Sequence, residues 1–222
     1  MIILGLTGSI AMGKSTIGAM IENMRIPVHE ADAAVHDLLT FESEAWPAIK
    51  ANFPFFDYPE IYEDKGRALN RKAFGTLIFN DDNLRELLEA ILHPLVHKSQ
   101  NEFIREYTLK GFEMVCLDIP LLFETGADER VDYTMTVSSP YFIQRQRVLD
   151  RPNMSEEKFH AILERQMPDE QKCSLSDYVI KTGLGRAHAM KELKSALQDI
   201  REKEFGSTED GEHAEHSDLQ AS

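Results

Sequence analysis

The chain is poor in cysteine and has no long apolar run. Its two cysteines among 222 residues, Cys116 and Cys173, lie far apart with no C-x-x-C pair. This argues against a disulfide framework or a zinc site and favours a reduced, cytoplasmic compartment. No apolar stretch approaches the roughly 18–20 residues that a membrane span requires. Residues 1–6 are too few for a signal peptide and lack a basic region. We therefore expect a globular cytoplasmic protein with no membrane segment.

Positive charge is also scarce. Lys and Arg number 24 against 38 Asp and Glu, so the formal net charge is −14. This balance argues against nucleic-acid partners and leaves small molecules, while the oligomeric state stays open and a monomer is compatible with it. Residues 206–222 carry several acidic residues, no Lys or Arg and almost nothing to bury, which predicts a disordered tail. Because the chain as a whole is acidic, an anion-binding site in the folded part must take its positive charge from groups close to the site.

Short apolar runs predict five buried strands, at residues 2–6, 25–29, 114–119, 131–137 and 178–180. Amphipathic helices are predicted after the first run, near 140 and 155, and over 189–200. Strands that alternate with helices predict βαβ units and a parallel sheet covered by helices on both faces.

The segment 34–111 has a different pattern, with no strand that would extend this sheet. Apolar residues over 84–91 predict a helix that His93-Pro94 ends, and a second helix is predicted from 95 to about 107. The aromatic stretch 53–59 is predicted to be a loop with hydrophobic anchors. The segment therefore looks like a mostly helical insertion.

Residues 8–15, GSIAMGKS, match the phosphate-loop pattern G-x-x-x-x-G-K-[ST], with a strand before them and a helix after them. The glycines let successive backbone N–H groups point at a polyphosphate, and the helix start adds partial positive charge. Lys14 is expected to reach the β- and γ-phosphates, and the Ser15 hydroxyl to bind Mg²⁺. The candidate nucleotide-binding residues are Gly8, Ala11, Met12, Gly13, Lys14, Ser15 and Thr16.

A second metal-binding oxygen is expected at the end of another core strand. Asp118, which follows the run Met114–Leu117, is the candidate, and a solvated aspartate at a strand end is the alternative. Candidate metal ligands are therefore Ser15 and Asp118.

A small kinase fits better than other phosphate-loop proteins. The sequence has no guanine-reading N-K-x-D run, and it is short for a motor or transport ATPase. Arg145, Arg147 and Arg151 lie beside a predicted helix between the last two strands, where they could neutralise a transferring phosphoryl group. A solvated basic face is the alternative.

Asp32, just after the second strand, is the candidate general base for the acceptor hydroxyl. Its alternative role is to cap the following helix. A kinase for nucleoside monophosphates or another small metabolite, and a non-catalytic ATP-binding switch, stay open as functions.

The chain resembles the dephospho-coenzyme A kinase family over residues 2 to about 185. The resemblance rests on the phosphate loop and on these further segments: 30–32 (EAD), 69–71 (LNR), 78–79 (IF), 88–94 (LEAILHP), 119–124 (IPLLFE), 147–151 (RVLDR), 162–166 (ILERQ) and 176–180 (SDYVI). The chain departs from the family pattern at Glu30, Pro152, Ser176 and Thr182, all outside the phosphate loop.

The resemblance implies ATP- and Mg²⁺-dependent phosphorylation of the ribose 3′-hydroxyl of dephospho-coenzyme A, the last step of coenzyme A synthesis. It implies a three-layer α/β phosphate-loop fold with a five-stranded parallel sheet. The core would span 1–33 and 112–205, the helical acceptor-binding insertion 34–111 and the helical lid about 140–172. Asp32 would be the base, Arg147 and Arg151 the lid arginines that act with Lys14, and the acceptor would contact Asp32, Arg71, His93 and Glu124. For His93 a helix end, and for Glu124 a pairing with a lid arginine, remain alternatives.

Overall fold

One parallel sheet organises the computed structural model, which describes residues 1–152 and 154–206. The tail expected at 206–222 lies, from residue 207 on, outside the described residues. The strands are β1 (Ile2–Thr7), β2 (Val28–Glu30), β3 (Tyr62–Glu63), β4 (Ala68–Leu69), β5 (Met114–Asp118), β6 (Tyr133–Ser138) and β7 (Tyr178–Lys181). β3 and β4 form a separate antiparallel hairpin, and the other five pair in parallel in the order β2-β5-β1-β6-β7. The predicted α/β fold with a five-stranded parallel sheet is confirmed.

The strand order places the functional loops together. β1 is the central strand, with β5 on one side and β6 on the other. In the register Asp118 pairs with Leu6 of β1 and with Glu30 of β2. Because the strands are parallel, all their carboxyl ends meet at one edge of the sheet, which is where open α/β sheets bind ligands.

Nine α-helices lie within the described residues. They are α1 (Lys14–Asn23), α2 (Ala31–Leu38), α3 (Trp46–Asn52), α4 (Arg71–Asn80), α5 (Asp82–Leu109), α6 (Tyr141–Leu149), α7 (Glu156–Glu164), α8 (Asp169–Leu175) and α9 (Arg186–Phe205). Helices α1 and α9 bury apolar faces against one side of the sheet, while Phe103 and Ile104 of α5 pack on the other side. Since both faces are covered, the strands are apolar on both sides, as parallel strands usually are.

The helices between β2 and β5 have a hydrophobic core of their own. Trp46, Ile49, Phe53 and Phe74 are buried there, with aromatic rings meeting edge to face. In the aromatic stretch 53–59, Phe53 is fully buried, and this supports the predicted anchored loop.

The predicted break at His93-Pro94 is wrong, because α5 runs without interruption through Pro94. Proline removes the hydrogen bond that residue 94 would give to the carbonyl four residues earlier, and its ring crowds that carbonyl, at a total cost of about 3 kcal/mol. The helix is held at both ends: Leu88 and Leu92 lie in the core around Trp46, and Phe103 packs against the sheet. Burial of these side chains contributes roughly 1.5–3 kcal/mol each and outweighs the lost bond.

Replacing Pro94 with alanine should therefore stabilise the protein. We expect Pro94→Ala to raise the free energy of unfolding by about 1–3 kcal/mol, because it restores a backbone hydrogen bond inside α5. Urea denaturation measures this change. The matched control is Pro47→Ala, in the first turn of α3, where proline leaves no partner unsatisfied. An equal effect of the two substitutions would contradict a continuous α5.

Candidate active site

The loop between β1 and α1 exposes backbone donors at a helix start. Gly13 is the N-cap of α1, and within the described part of the chain no side chain caps the first N–H groups of this helix. Its φ of 101° lies in the left-handed region that favours glycine. The free N–H groups and the positive end of the helix dipole together make this turn an anion site.

Gly8 sits where β1 enters the loop and approaches β6 closely. A Cβ atom at this position would lie 2.6 Å from the Val137 carbonyl oxygen, which belongs to the backbone of β6 and cannot move aside cheaply. The first glycine of the motif is therefore required by close packing of the loop against the neighbouring strand.

Lys14 and Asp118 form an ion pair at the mouth of the loop. Lys14 Nζ contacts Asp118 Oδ1, and only 16% and 7% of the two side chains are exposed. Burial raises the pKa of Asp118 above its usual value, Lys14 opposes this effect, and the nearby carboxylates of Asp32 and Glu30 add to it. The ammonium group of Lys14 thus has a buried counter-ion before any phosphate arrives.

A cavity of about 660 Å³ opens over the phosphate loop. Its wall contains all seven candidate nucleotide-binding residues together with Asp32, Arg147 and Arg151. Residues to which the sequence analysis assigned no role complete it, among them Pro120, Ile162, Gln166, Gly185 and Arg186. Elements far apart in sequence therefore bring a candidate base and two cations to one phosphate-binding turn.

Arg147 is held against the phosphate loop and the loop after β7. Its guanidinium lies 3.4 Å from the carbonyl oxygens of Ala11 and Met12, and it donates to Thr182 Oγ1 and O at 3.1 Å. Thr182, noted as a departure from the family pattern, thus orients this arginine.

The other two candidate arginines differ from Arg147. Arg151 is exposed on the cavity wall, and its side chain forms no ion pair within the part of the chain described. Arg145 pairs with Glu156 and does not line the cavity.

The remaining candidate acceptor residues lie outside the cavity wall. Arg71, at the start of α4, contacts the His36 ring and lies 3.3 Å from the His36 carbonyl. Asp32 and His36 are four residues apart on α2, so Arg71 docks on the same helix as Asp32, about one turn away. His93 is exposed on α5, where its ring stacks on His97 with centroids 6.4 Å apart.

Glu124 forms a buried ion pair with a lysine. Its Oε1 accepts from Lys172 Nζ and from the Met167 backbone N–H, both at 2.8 Å, and Oε2 has no hydrogen-bond partner among the residues that the structure describes. Lys172 is fully buried and also donates to the Pro120 carbonyl. The partner of Glu124 is thus a lysine of α8, a helix that the sequence analysis did not predict.

Oxygen donors at the loop suit a magnesium ion held mainly by phosphates. Among the described residues no group of three His, Cys, Asp or Glu side chains could hold a metal by itself. Mg²⁺ at nucleotide sites commonly takes one or two protein oxygens and completes its shell with phosphate and water. The exposed Ser15 hydroxyl and the Asp118 carboxylate fit that pattern, because both stand at the phosphate loop.

No described helix has the length and apolar character needed to cross a membrane. The two cysteines are both free thiols, Cys116 buried and Cys173 partly so.

Comparison with known proteins gives one consistent result. Residues 2–185 match the family model described as dephospho-CoA kinase. A dephospho-CoA kinase of Mesorhizobium japonicum is 42% identical over 201 residues, which cover 90% of this chain and 98% of the relative. One from Rhizobium etli is 44% identical over 200 residues, covering 90% and 92%.

Solved structures share the fold. A crystal structure from Thermus thermophilus superposes with a TM-score of 0.72 at 32% identity and covers 90% of this chain and 97% of its own. A dephospho-CoA kinase structure from Campylobacter jejuni gives a TM-score of 0.60 at 23% identity, covering 90% and 98%, a likeness of fold.

The Gly8 contact can be tested by adding a single methyl group. We expect Gly8→Ala to destabilise the protein by about 1–3 kcal/mol and to weaken nucleotide binding, because the new Cβ pushes the loop away from β6. Urea denaturation and calorimetric titration with a non-hydrolysable ATP analogue measure the two effects.

Gly75→Ala is the matched control. Gly75 is exposed on α4, and no described atom lies within 4 Å of an added Cβ. The free energy of unfolding of this variant should therefore rise by about 0.5–1 kcal/mol. Full stability and full nucleotide affinity in Gly8→Ala would refute the packing role.

Proposed function

The chain belongs to the dephospho-CoA kinase family, and we propose on this basis that it transfers the γ-phosphoryl group of ATP to the ribose 3′-hydroxyl of dephospho-coenzyme A. The products are coenzyme A and ADP, and the reaction is the final step of coenzyme A synthesis. The observation that carries this function is the single cavity wall that joins the phosphate loop, Asp32 and two arginines in a chain whose family match extends over residues 2–185.

On the ATP side we assign the phosphates to the loop 8–16. Its backbone N–H groups and the start of α1 would hold the phosphate oxygens, and Lys14 would exchange its contact with Asp118 for the β- and γ-phosphates. Arg147, which is held against the loop, and Arg151 on the cavity wall would balance the charge on the transferring group. Positioning and charge compensation are what phosphoryl transfer needs most.

On the acceptor side we assign Asp32 as the general base. As the 3′-oxygen bonds to the γ-phosphorus and the bond between that phosphorus and the β–γ bridging oxygen breaks, the hydroxyl proton passes to the Asp32 carboxylate. Asp32 is exposed at the start of α2 and lines the cavity, so an acceptor can reach it. Arg71 of α4 contacts α2 about one turn from Asp32, and there it would bind anionic groups of the same acceptor. His93 and Glu124 are further candidate contacts.

We assign the Mg²⁺ site to Ser15 and Asp118, whose oxygen atoms suit this ion. When bound, Mg²⁺ would neutralise charge on the phosphates. The segment of about 140–172 is proposed as a lid that excludes water, and 34–111 as the acceptor-binding part. We also propose a cytoplasmic location, since both cysteines are free thiols.

The acceptor assay tests the function directly. The purified protein with ATP and Mg²⁺ should convert dephospho-coenzyme A to coenzyme A, detected by chromatography, and should leave AMP and shikimate unchanged. Turnover of another acceptor with none on dephospho-coenzyme A would refute the proposal. Nucleotide binding without turnover of any acceptor would indicate a non-catalytic switch.

Asp32→Asn tests the base. It keeps the side-chain shape and removes the proton acceptor, so kcat should fall by about 100-fold or more while ATP affinity stays near that of the unmodified protein. Asp37→Asn is the control, since Asp37 is exposed on the same helix and does not line the cavity. Normal turnover in Asp32→Asn would remove Asp32 from the mechanism.

A further inference from the structure

Three consecutive residues after α7 contact three separate parts of the molecule. The segment 165–167 reaches Phe79 at the end of α4, Ile10 in the phosphate loop and Glu124 in the loop after β5. The sequence analysis used this region for the family resemblance and gave it no role. One short segment therefore joins the acceptor-binding part to the phosphate-binding part.

Arg165 docks on the junction between α4 and α5. Its Nη2 donates to the Phe79 carbonyl at 3.1 Å and to Asp82 Oδ1 at 3.3 Å. Its guanidinium carbon lies 4.7 Å from the centre of the Phe79 ring. The Phe79 carbonyl is one of the last of α4, where a helix leaves acceptors free and favours a cation. Arg165 thus binds the junction between α4 and α5 through a hydrogen bond to a free carbonyl, an ion pair and a cation–π contact.

Gln166 fixes the phosphate loop from the other direction. Its Oε1 accepts from the Ile10 backbone N–H at 3.0 Å, while Gln144 Nε2 donates to the Ile10 carbonyl at 2.9 Å. Gln144 lies in α6 and is only 3% exposed, so it is a rigid partner. Ile10 is therefore held on both sides by amide groups of the proposed lid, and movement of Gln166 changes the orientation of a phosphate-loop peptide.

We propose that Arg165 is a positioning residue that couples acceptor binding to the geometry of the phosphate loop. Arg165 and Gln166 are neighbours whose Cα atoms are about 3.8 Å apart, so a shift of the α4–α5 junction is transmitted to Ile10. Acceptor binding in the 34–111 part biases that junction, and by linkage nucleotide binding biases it in return. The inference rests on the proposed function, because that function supplies the second ligand.

Calorimetry of two ligands measures the coupling. The affinity for a non-hydrolysable ATP analogue is determined with and without saturating dephospho-coenzyme A. In the unmodified protein we expect the acceptor to tighten analogue binding by about fivefold or more. In Arg165→Ala the ratio should fall to within about twofold of one, while affinity for the analogue alone stays within about twofold of the unmodified value.

Arg85→Ala is the matched control. Arg85 also pairs with Asp82, at 3.3 Å, and its other ion pair is with Glu89 of the same helix, so this variant should keep the full ratio. Arg165→Lys retains the cation near Phe79 with a single donor group and should give an intermediate ratio. Thermal unfolding verifies that each variant is folded.

The outcomes separate the two levels of the proposal. Absence of dephospho-coenzyme A binding in the unmodified protein would overturn both the function and this inference. Binding of both ligands without coupling, an undiminished ratio in Arg165→Ala, or equal losses in Arg85→Ala and Arg165→Ala would overturn the positioning role and leave the function standing.

Discussion

The gathering of parallel strand ends at one sheet edge is the constraint from which the rest of the site follows. β1 leads directly into the phosphate loop, β5 ends with Asp118, and Asp32 lies two residues after the end of β2. A parallel arrangement needs long crossover connections, and these connections become α1 and the helical segment 31–109. The sheet therefore fixes the position of the proposed nucleotide site, and its crossovers supply the surface that we propose for the acceptor.

Two ion pairs that join the connecting segments to one another differ strongly in burial. The Glu124–Lys172 pair is buried and joins the loop after β5 to α8. Removing one partner of such a pair leaves an uncompensated buried charge, so this contact is costly to break. The contact of Arg165 with the α4–α5 junction is partly exposed. The proposed lid is thus joined to the rest of the molecule by one buried ion pair and one exposed ion pair.

Sequence analysis predicted correctly the elements that local patterns specify. It was wrong or silent about features that depend on tertiary contacts. The phosphate loop and the five strands were correct because a fixed motif and apolar runs specify them. The end of a helix at Pro94 was wrong because cores at both ends of α5 outweigh one lost hydrogen bond. The roles of Gln166 and Lys172 were missed because their partners are distant in sequence and no spacing rule links them.

Charge explains why an acidic protein can hold two polyanions. The net charge of −14 repels phosphates. At physiological salt, however, charges that lie more than about 8 Å from a phosphate are largely screened. Within that distance the field comes from Lys14, the start of α1 and the three arginines on the cavity wall, Arg147, Arg151 and Arg186. Asp118 neutralises Lys14 in the absence of ligand, so the lysine has a defined position and a partner. In the proposed function a triphosphate replaces that partner, and its negative oxygens then form the charge-assisted hydrogen bonds with Lys14 that the carboxylate formed before.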